Sequence, residues 1–326
     1  MGWSLGASGH LVPMRRIDVH AHYFPVAYLD ALEAAGSTST GVARGLGAGN
    51  DPGEVDGRLR MMDDAGVAVQ VLSATPQSPY VRDEEAAVAL ARLGNDLYAD
   101  LVAEHPGRFA AFASVPLPHG RAAAAEAGRA MDELGMVGAT IATSVLDRTL
   151  DDPAFEPLWA ALDRRSAPVF VHAAGDGCRS PLISEHGLTW IVGAPFEDTI
   201  GVLHLVRAGV TARYPNIRFV VAHLGGPLPF LMQRIDDNYT RWKQAFPDLP
   251  SRILRQMWYD TANFHEPSLA CAVETFGADR ILLGSDHPYF QDDLYTRAVT
   301  YVENSRQPPD VVERIMHANA SALLGL

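Results

Sequence analysis

The 326-residue sequence has few cysteines, only one lysine and a deficit of positive charge. Cys178 and Cys271 stand alone, without the spacing of a disulfide framework or of a Cys-x-x-Cys metal site, which suits a reducing cytoplasm. The formal net charge of -13 argues against a nucleic-acid partner, because phosphate binding requires a basic surface. No apolar run reaches membrane-spanning length. We therefore expect a cytoplasmic protein with neither a nucleic-acid nor a membrane partner.

The composition is that of a globular protein, with 48% hydrophobic and 20% charged residues. Residues 1–13 lack the basic start and apolar core of a signal peptide, and we interpret them as a leader or an appended remnant. Residues 14–326 are long enough for a single α/β barrel domain, which needs about 250 residues plus insertions. A glycine-rich stretch at about residues 36–57 is expected to be a long loop inserted in that domain.

Short apolar runs alternate with helical patterns along the chain. The predicted strands cover residues 17–22, 67–72, 109–115, 137–143, 168–172, 217–223, 257–261 and 280–286. Near-continuous apolar strands, each followed by a helix, indicate a parallel sheet, and eight such units favour an α/β fold of the (β/α)8 TIM barrel type. An open doubly wound sheet is the alternative. It would require a glycine-rich turn after the first strand, where His22-Tyr23-Phe24-Pro25 stands instead.

The first predicted strand, Ile17-Asp18-Val19-His20-Ala21-His22, alternates apolar and polar residues. Residues two apart on a strand project from the same face, so the imidazoles of His20 and His22 are expected to point to one place. Imidazole is a common ligand of zinc and related metals. A surface pair of histidines or a capped turn is the alternative, because so short a motif also occurs by chance.

Polar side chains also end several of the later strands. His172 ends strand five, His223 ends strand six and Asp286 ends strand eight. Active sites of such barrels lie at the carboxyl ends of the strands, where residues from different strands converge. Each residue alone could bond a loop carbonyl or cap a turn. Together with His20 and His22, they indicate one shared site.

The donor set of this site bears on which ion it holds. Imidazoles with one carboxylate suit Zn²⁺, and Mn²⁺ or Fe²⁺ are alternatives. A two-metal centre needs a bridging ligand, for which barrels of this kind often use a carboxylated lysine on strand four. That strand, Gly138-Ala139-Thr140-Ile141-Ala142-Thr143, contains no lysine, and the single lysine of the chain, Lys243, lies outside all eight strands. One divalent ion is therefore expected, zinc first and manganese as the alternative.

Several motifs occur in a characteristic order. They are Ile17-Asp18-Val19-His20-Ala21-His22, Gly66-Val67-Ala68-Val69-Gln70-Val71-Leu72-Ser73, Phe170-Val171-His172, Trp190-Ile191-Val192-Gly193, Ala222-His223-Leu224-Gly225-Gly226 and Leu283-Gly284-Ser285-Asp286. By this ordered set, the sequence resembles the amidohydrolase superfamily from about Arg16 to Leu326. Within that superfamily, the sequence most resembles the non-oxidative decarboxylases, namely the 2-amino-3-carboxymuconate-6-semialdehyde decarboxylase group and the 6-methylsalicylate decarboxylases.

The resemblance implies a metal-dependent carboxy-lyase acting on a hydroxybenzoate-like or unsaturated carboxylic acid. It also implies that His20, His22, His172 and Asp286 bind the metal, and that His223 lies beside the metal-bound water as a catalytic histidine. We expect Asp286 to carry the proton to the substrate carbon, with His223 coupled either to Asp286 or to the metal-bound water.

Two other functions keep the same ligands. Because a metal lowers the pKa of bound water, the site could hydrolyse an amide or a lactone instead. A metal-binding barrel that serves only as a scaffold is the third interpretation.

Two departures from the resembling decarboxylases favour a different substrate. His287 follows the strand-eight aspartate where these enzymes often carry tyrosine. The stretch after His172, residues 173–178, is short and lacks bulky side chains. Other histidines, such as His105 and His119, are expected to be ordinary surface residues.

Three residues are candidates for substrate binding. The resemblance places Trp190 near the substrate, stacked on a planar ring, although most tryptophans simply fill a core. Arg44, in the glycine-rich loop, could clamp a carboxylate, or it could be a solvated loop arginine. Arg234 matches a position from which the resembling enzymes project an arginine into a neighbouring subunit, which implies a homodimer. Its alternative is a surface ion pair with Asp236 or Asp237.

Overall fold

The computed structural model describes residues 3–5, 11–13, 15–239, 241 and 246–326. Near the N-terminus, Trp3–Leu5 pairs antiparallel with Leu11–Pro13. The rest of the segment interpreted as a leader lies outside the described residues, so that interpretation stays a prediction. Lys243 also lies outside them.

Eight parallel strands form one sheet in chain order, as the sequence predicted. They are β1 (Arg16–His22), β2 (Val67–Ser73), β3 (Phe109–Ser114), β4 (Gly138–Ala142), β5 (Pro168–His172), β6 (Arg218–Val221), β7 (Trp258–Asp260) and β8 (Ile281–Leu282). Nearly all residues of these strands are buried, because side chains fill the inside of the sheet and helices cover its outside.

Backbone hydrogen bonds join β1 to the segment that contains and follows β8. The Val19 N–H donates to the Leu283 carbonyl over 2.9 Å, and the Asp286 N–H donates to the His20 carbonyl over 2.8 Å. The first and last strands therefore meet. This contact confirms the (β/α)8 TIM barrel and shows that the open doubly wound sheet was the wrong alternative.

Helices follow the strands and form the outer layer. They are α1 (Val26–Ala34), α2 (Pro52–Asp64), α3 (Glu84–Glu104), α4 (Gly120–Asp132), α5 (Glu156–Arg164), α6 (Pro181–Ser184), α7 (Ala194–Arg207), α8 (Val210–Arg213), α9 (Leu228–Tyr239), α10 (Pro250–Leu254), α11 (Glu266–Phe276), α12 (Asp293–Glu303), α13 (Pro309–Glu313) and α14 (Asn319–Leu324). Within the described ranges, no helix combines the length and the apolarity needed to cross a membrane.

The glycine-rich stretch at residues 36–57 is not all loop. It contains a 3-10 turn at Thr40–Val42 and the first turn of α2. The Asp51 carboxylate caps α2 by accepting from the Gly53 N–H, and Pro52 at the first helical position favours the start there.

The inside of the barrel contains an inner apolar cluster. The strands contribute Ile17, Val19, Val69, Val71, Ala110, Phe112, Phe170, Val220, Ala222 and Leu282. Phe112 stacks on Phe170 with ring centroids 5.5 Å apart, and the Phe170 ring in turn meets the His20 ring at 5.0 Å. Phe170 is therefore the member of the inner apolar cluster that borders the predicted metal site.

Candidate metal centre

The strand ends bring together the five residues that the sequence assigned to one site. Single donor atoms of His20, His172, His223 and Asp286 all lie within 4.8 Å of one another. The fifth residue, His22, belongs to the same group, because its Nε2 lies 3.2 Å from His20 Nε2 and 3.1 Å from Asp286 Oδ1. We call these five residues the histidine–aspartate cluster.

Two of the imidazoles are oriented by uncharged partners. The His172 Nδ1–H donates to the Ala173 carbonyl over 2.8 Å, so its Nε2 carries a free lone pair. His22 Nδ1 lies 3.0 Å from the Ser73 hydroxyl oxygen. Both rings are therefore held so that Nε2 faces the centre of the cluster, as in histidines that bind metals.

The other two imidazoles are oriented by buried carboxylates. The His20 Nδ1–H donates to Asp260 over 2.8 Å, and the His223 Nδ1–H donates to Asp198 over 2.7 Å. In both rings Nε2 is again directed inwards, and His223 Nε2 lies 3.6 Å from Asp286 Oδ2. All four histidines thus present the same nitrogen to one point.

The buried polar atoms of the cluster fit a metal ion. His172 Nε2 is fully buried and has no hydrogen-bond partner among the described residues. A buried acceptor without a partner is unfavourable unless something else satisfies it. Four imidazole nitrogens and one carboxylate are the donors that a divalent first-row metal prefers. The cluster therefore supports a single divalent metal site.

Carboxylates raise the pKa of two histidines of the cluster. Burial lowers the pKa of His20, but the charges of Asp260 and Asp286 outweigh burial and raise it to about 9. Burial likewise opposes protonation of His223, but Asp198 and Asp286 raise its pKa well above the usual value. The negative charge of the site thus attracts cations, whether protons or a metal.

The remaining members have lowered pKa values. Burial lowers the pKa of His22 to about 4 and that of His172 well below its usual value, because both lack a carboxylate at Nδ1. Burial raises the pKa of Asp286, but His20 and the other imidazoles outweigh it and hold that pKa well below the usual range. Neutral imidazoles and an ionised carboxylate are the forms that bind metals.

Two residues of the cluster, and one next to it, have a left-handed backbone conformation. His223, Leu224 and Asp286 all have positive φ angles, between 54° and 57°, although none is glycine. Such a conformation is unfavourable for a residue with a Cβ and is typical of functional sites. At His223 and Asp286 it occurs just beyond the ends of β6 and β8, where the side chains enter the site.

Asp18 continues the alternating pattern of β1 but does not join the cluster. The pairing of β1 with β2 shifts register between Asp18 and Ala21. The Asp18 carboxylate instead accepts from the Ser285 hydroxyl at 2.6 Å and from the Gln70 amide at 3.0 Å. It thereby ties β1 to the segment that carries Asp286.

Aromatic side chains lie next to the cluster. Trp190 and Tyr289 face each other with ring planes 16° apart and centroids 6.4 Å apart, and the Tyr289 ring also contacts His22. The Tyr289 hydroxyl is buried without a hydrogen-bond partner among the described residues. Trp190 packs so closely on Gly175 that a Cβ there would lie 2.2 Å from its ring. Trp190 is 41% exposed, so it is not core filling.

The structure does not bring Arg44, Arg234 or His287 into the cluster. Arg44 donates to Glu33 at 2.7 Å and to Asp30 at 2.6 Å, on α1, which matches its alternative as a loop arginine. Arg234 is exposed on α9, where its backbone carbonyl accepts from the Asn238 side chain over 2.7 Å. His287 Nδ1 accepts from the Arg58 guanidinium over 2.8 Å.

The sequence reasoning missed Asp260, Asp198, Ser73 and Tyr289. Asp260 ends β7 and Ser73 ends β2, so the rule that singled out His172 could have found both. Asp198 lies inside α7 and Tyr289 in a loop, where no periodicity pointed to the site.

A TIM barrel whose strand ends gather imidazoles and a carboxylate belongs to a class that binds metal at its active site. Residues 17–326 match the family model described as Amidohydrolase, so the chain belongs to the amidohydrolase family.

The similar proteins include several decarboxylases. The 2-amino-3-carboxymuconate-6-semialdehyde decarboxylase of Dictyostelium discoideum is 29% identical over 281 residues, which cover 83% of this chain and 76% of the relative. The 6-methylsalicylic acid decarboxylase of Aspergillus aculeatus is 30% identical and covers 94% of this chain and 95% of the relative. Among solved structures, a dihydroxybenzoic acid decarboxylase from a Polaromonas species with bound manganese and the inhibitor 2-nitroresorcinol has a TM-score of 0.82. It is 26% identical and covers 96% of this chain and 97% of the other.

Proposed function

We propose that the protein is a metal-dependent decarboxylase that releases carbon dioxide, without oxidation, from a hydroxybenzoate-like or unsaturated carboxylic acid. The observation that carries the proposal is the histidine–aspartate cluster, in which every imidazole is tied at Nδ1 and presents Nε2 to one point. The decarboxylases that the chain resembles over most of its length support the same reaction.

A divalent ion would be held by His20, His22, His172 and Asp286. When bound, it would act as a Lewis acid that holds the oxygen atoms of the acid and absorbs negative charge. We keep zinc as the expected ion because imidazoles dominate the donor set. Manganese is the alternative, supported by the Polaromonas enzyme that carries it.

Decarboxylation of an aromatic acid requires a proton on the carbon that bears the carboxylate. Protonation makes that carbon tetrahedral, and the carbon–carbon bond can then break with its electrons returning to the ring. Asp286 and His223 are the groups of the cluster placed to deliver this proton, since their side chains are about one-tenth exposed and 3.6 Å apart. We assign Asp286 as the proton carrier and His223 as its coupled partner.

The residues around the cluster favour a planar substrate with a polar substituent. Trp190 and Tyr289 provide two nearly parallel aromatic faces. The unpartnered Tyr289 hydroxyl offers one hydrogen bond to a phenol or carboxylate oxygen of the substrate. Arg44 would reach the substrate only if it left its ion pairs with Asp30 and Glu33.

We further propose a homodimer in which Arg234 enters the partner's site. Apolar side chains are exposed on α6, on the π-helical turn before α7 and on α9, where Leu182 is 76%, Ile191 74% and Phe230 85% exposed. Apolar patches of this kind are typical of interaction sites. The guanidinium of the exposed Arg234 suits a substrate carboxylate, which it could bind in bidentate fashion.

Mixing two inactive variants tests the shared site. Arg234→Ala and His223→Ala should each be nearly inactive as homodimers. Refolded together, they should form hybrids with one intact composite site, and activity should reappear. No recovery from verified heterodimers would mean that Arg234 serves its own subunit or none.

The compartment and the partners follow the expectations from the sequence. Both cysteines are free in the structure, which fits the cytoplasmic location that we propose. The acidic net charge argues against a nucleic acid as the partner. A small-molecule acid remains the proposed partner, and local arginines must attract it against the overall negative field.

A screen of carbon dioxide release tests the reaction. The protein, stripped of metal and reloaded with Zn²⁺ or Mn²⁺ separately, would be offered 2,6-dihydroxybenzoate, 6-methylsalicylate and carboxymuconates. Carbon dioxide release that His172→Ala lacks would support the decarboxylase. If these acids are inert while lactones or amides are hydrolysed, the protein is the alternative metal-dependent hydrolase.

A further inference from the structure

Asp198 is a fully buried carboxylate with one hydrogen-bonded partner among the described residues. That partner is His223, whose Nδ1–H donates to Asp198 Oδ2 over 2.7 Å. The second oxygen, Oδ1, is buried without any partner in the described chain. A buried charge satisfied on one side only is destabilising for the fold. Its presence therefore calls for a role connected with His223.

Asp260 shows what a carboxylate with a structural role looks like at the same site. Its Oδ2 accepts from the His20 Nδ1–H, and its Oδ1 accepts from the backbone N–H groups of His223 and Ala262 at 3.1 and 2.9 Å. Asp260 thus accepts hydrogen bonds from the main chain as well as from an imidazole. Asp198 accepts none from the main chain in the described residues, and its one hydrogen bond orients the His223 ring.

We propose that Asp198 is the positioning residue of His223, which keeps the proton of that imidazole on Nδ1 and directs the Nε2 lone pair towards Asp286 and the metal position. The proposal deepens the proposed function, on which its kinetic test rests. An imidazole bonded to an acceptor at Nδ1 is fixed in both tautomer and ring orientation. Without that acceptor, the proton can move to Nε2, and the ring would then point a donor at the cluster.

The isosteric substitution Asp198→Asn tests the positioning directly. Its amide can turn an N–H towards Nδ1 and so favour the opposite tautomer, while the side-chain volume stays the same. In Zn²⁺-loaded protein labelled with ¹⁵N-histidine, the ring signals of His223 are identified by their absence in His223→Gln. The signal of the Nδ1-bound proton should be present in the wild type and lost or shifted in Asp198→Asn. This readout needs no substrate.

Kinetics of the metal-loaded enzyme give the second readout. In a comparable hydrogen-bonded aspartate–histidine pair, loss of the charge lowers kcat by about 10⁴-fold through the wrong tautomer, so a fall of roughly 10²–10⁴-fold is expected here. KM should change by less than about threefold, because Asp198 touches no substrate.

Glu126→Gln is the matched control. Glu126 is also a buried carboxylate, but it lies on α4 and binds Arg129 and Asn95. The control should keep both kcat and the His223 signals of the wild type.

The outcomes separate the two proposals. Unchanged His223 signals in Asp198→Asn overturn the positioning role, whatever the activity. Changed signals with an unchanged kcat also overturn it, because the orientation would then serve no reaction. If no acid is decarboxylated by the wild type, the proposed function fails, while the spectra alone still decide whether Asp198 orients His223.

Discussion

The inner apolar cluster and the histidine–aspartate cluster are built by the same strands but are stabilised in opposite ways. Phe112 and Phe170 are fully buried, stack on each other and need no polar partner. Burial of such side chains contributes folding free energy. The polar cluster buries charges, places His223 and Asp286 at positive φ and leaves His172 Nε2 without a partner in the described chain. The comparison shows that the inner apolar cluster stabilises the fold. The histidine–aspartate cluster depends on that stability to keep its unfavourable geometry, which is typical of a site for chemistry.

Removal of a metal ligand should produce the largest effect. His20→Ala, His172→Ala or Asp286→Ala each removes a donor from the cluster, so metal and activity should both be lost. Loss of a residue that merely supports a ligand costs about 10–100-fold in metal affinity or activity, and loss of a ligand should exceed this range. Metal content by elemental analysis and carbon dioxide release measure the two effects.

His119→Ala is the control for the ligand variants. The His119 ring lies outside the cluster, next to the Val81 carbonyl at 3.1 Å, so this variant should keep both metal and activity. Equal metal content in all four variants would remove the cluster from consideration as a metal site.

His223→Ala should have the next largest effect, on rate rather than on metal content. If His223 acts beside the ion, the variant retains much of its metal while kcat falls by roughly 10²–10⁴-fold, as for loss of a general acid–base group. One donor atom of His223 lies within 4.8 Å of those of the predicted ligands His20, His172 and Asp286. Complete loss of metal from His223→Ala would therefore make it a fifth ligand.

The barrel could be predicted from the sequence because its strands are apolar runs separated by helical patterns. His172 and Asp286 could be predicted as members of the site because strand ends converge at one face of such a barrel. The same rule extended to Asp260 would have found the partner of His20. The convergence of strand ends follows from the barrel topology alone, so the sequence is sufficient to predict it.

The partners that orient the rings could not be predicted in the same way. Asp198 reaches His223 from within α7, and Tyr289 reaches His22 from the loop after β8. Both contacts depend on how a helix or loop packs over the barrel. The periodicity of apolar and polar residues in the sequence does not predict that packing. The contacts of Arg44 with Asp30 and Glu33 on α1 likewise had no signal in the sequence, and a role of Arg44 in substrate binding stays a prediction.

Phe112→Ala should have the opposite effect to the ligand variants, because it should lower stability and leave metal binding and activity unchanged. The ring is fully buried and stacks on Phe170 without touching the histidine–aspartate cluster. A buried Phe→Ala change costs about 3–5 kcal/mol of unfolding free energy through lost burial and the cavity left behind. Chemical denaturation should show this loss, while the folded fraction keeps its metal and its kcat. If Phe112→Ala lost metal without losing unfolding free energy, the two clusters would not have separate roles.

The smallest effect should come from Glu197→Gln, which changes how the unfolding free energy depends on pH. Glu197 is a buried acid near the mouth of the barrel. Its carboxylate, 4% exposed, accepts from the N–H groups of Gly175 and Cys178 in the loop after β5. Burial, with a smaller contribution from Asp176, raises the pKa of Glu197 from 4.5 to about 7. The folded state therefore holds this proton to a higher pH than the unfolded state does.

Stability contributed by the protonated Glu197 is fully present below pH 4.5 and is lost as the pH rises towards and through 7. The total is on the order of 3–4 kcal/mol, at about 1.4 kcal/mol per pKa unit over the shift from 4.5 to about 7. Glu197→Gln carries no titrating proton, so its unfolding free energy should rise relative to the wild type between pH 5 and pH 8. Urea unfolding of both proteins at each pH measures the difference. Phe112→Leu, which removes no titrating group, should differ from the wild type by a constant amount, and equally constant behaviour of Glu197→Gln would show that Glu197 ionises normally in the folded protein.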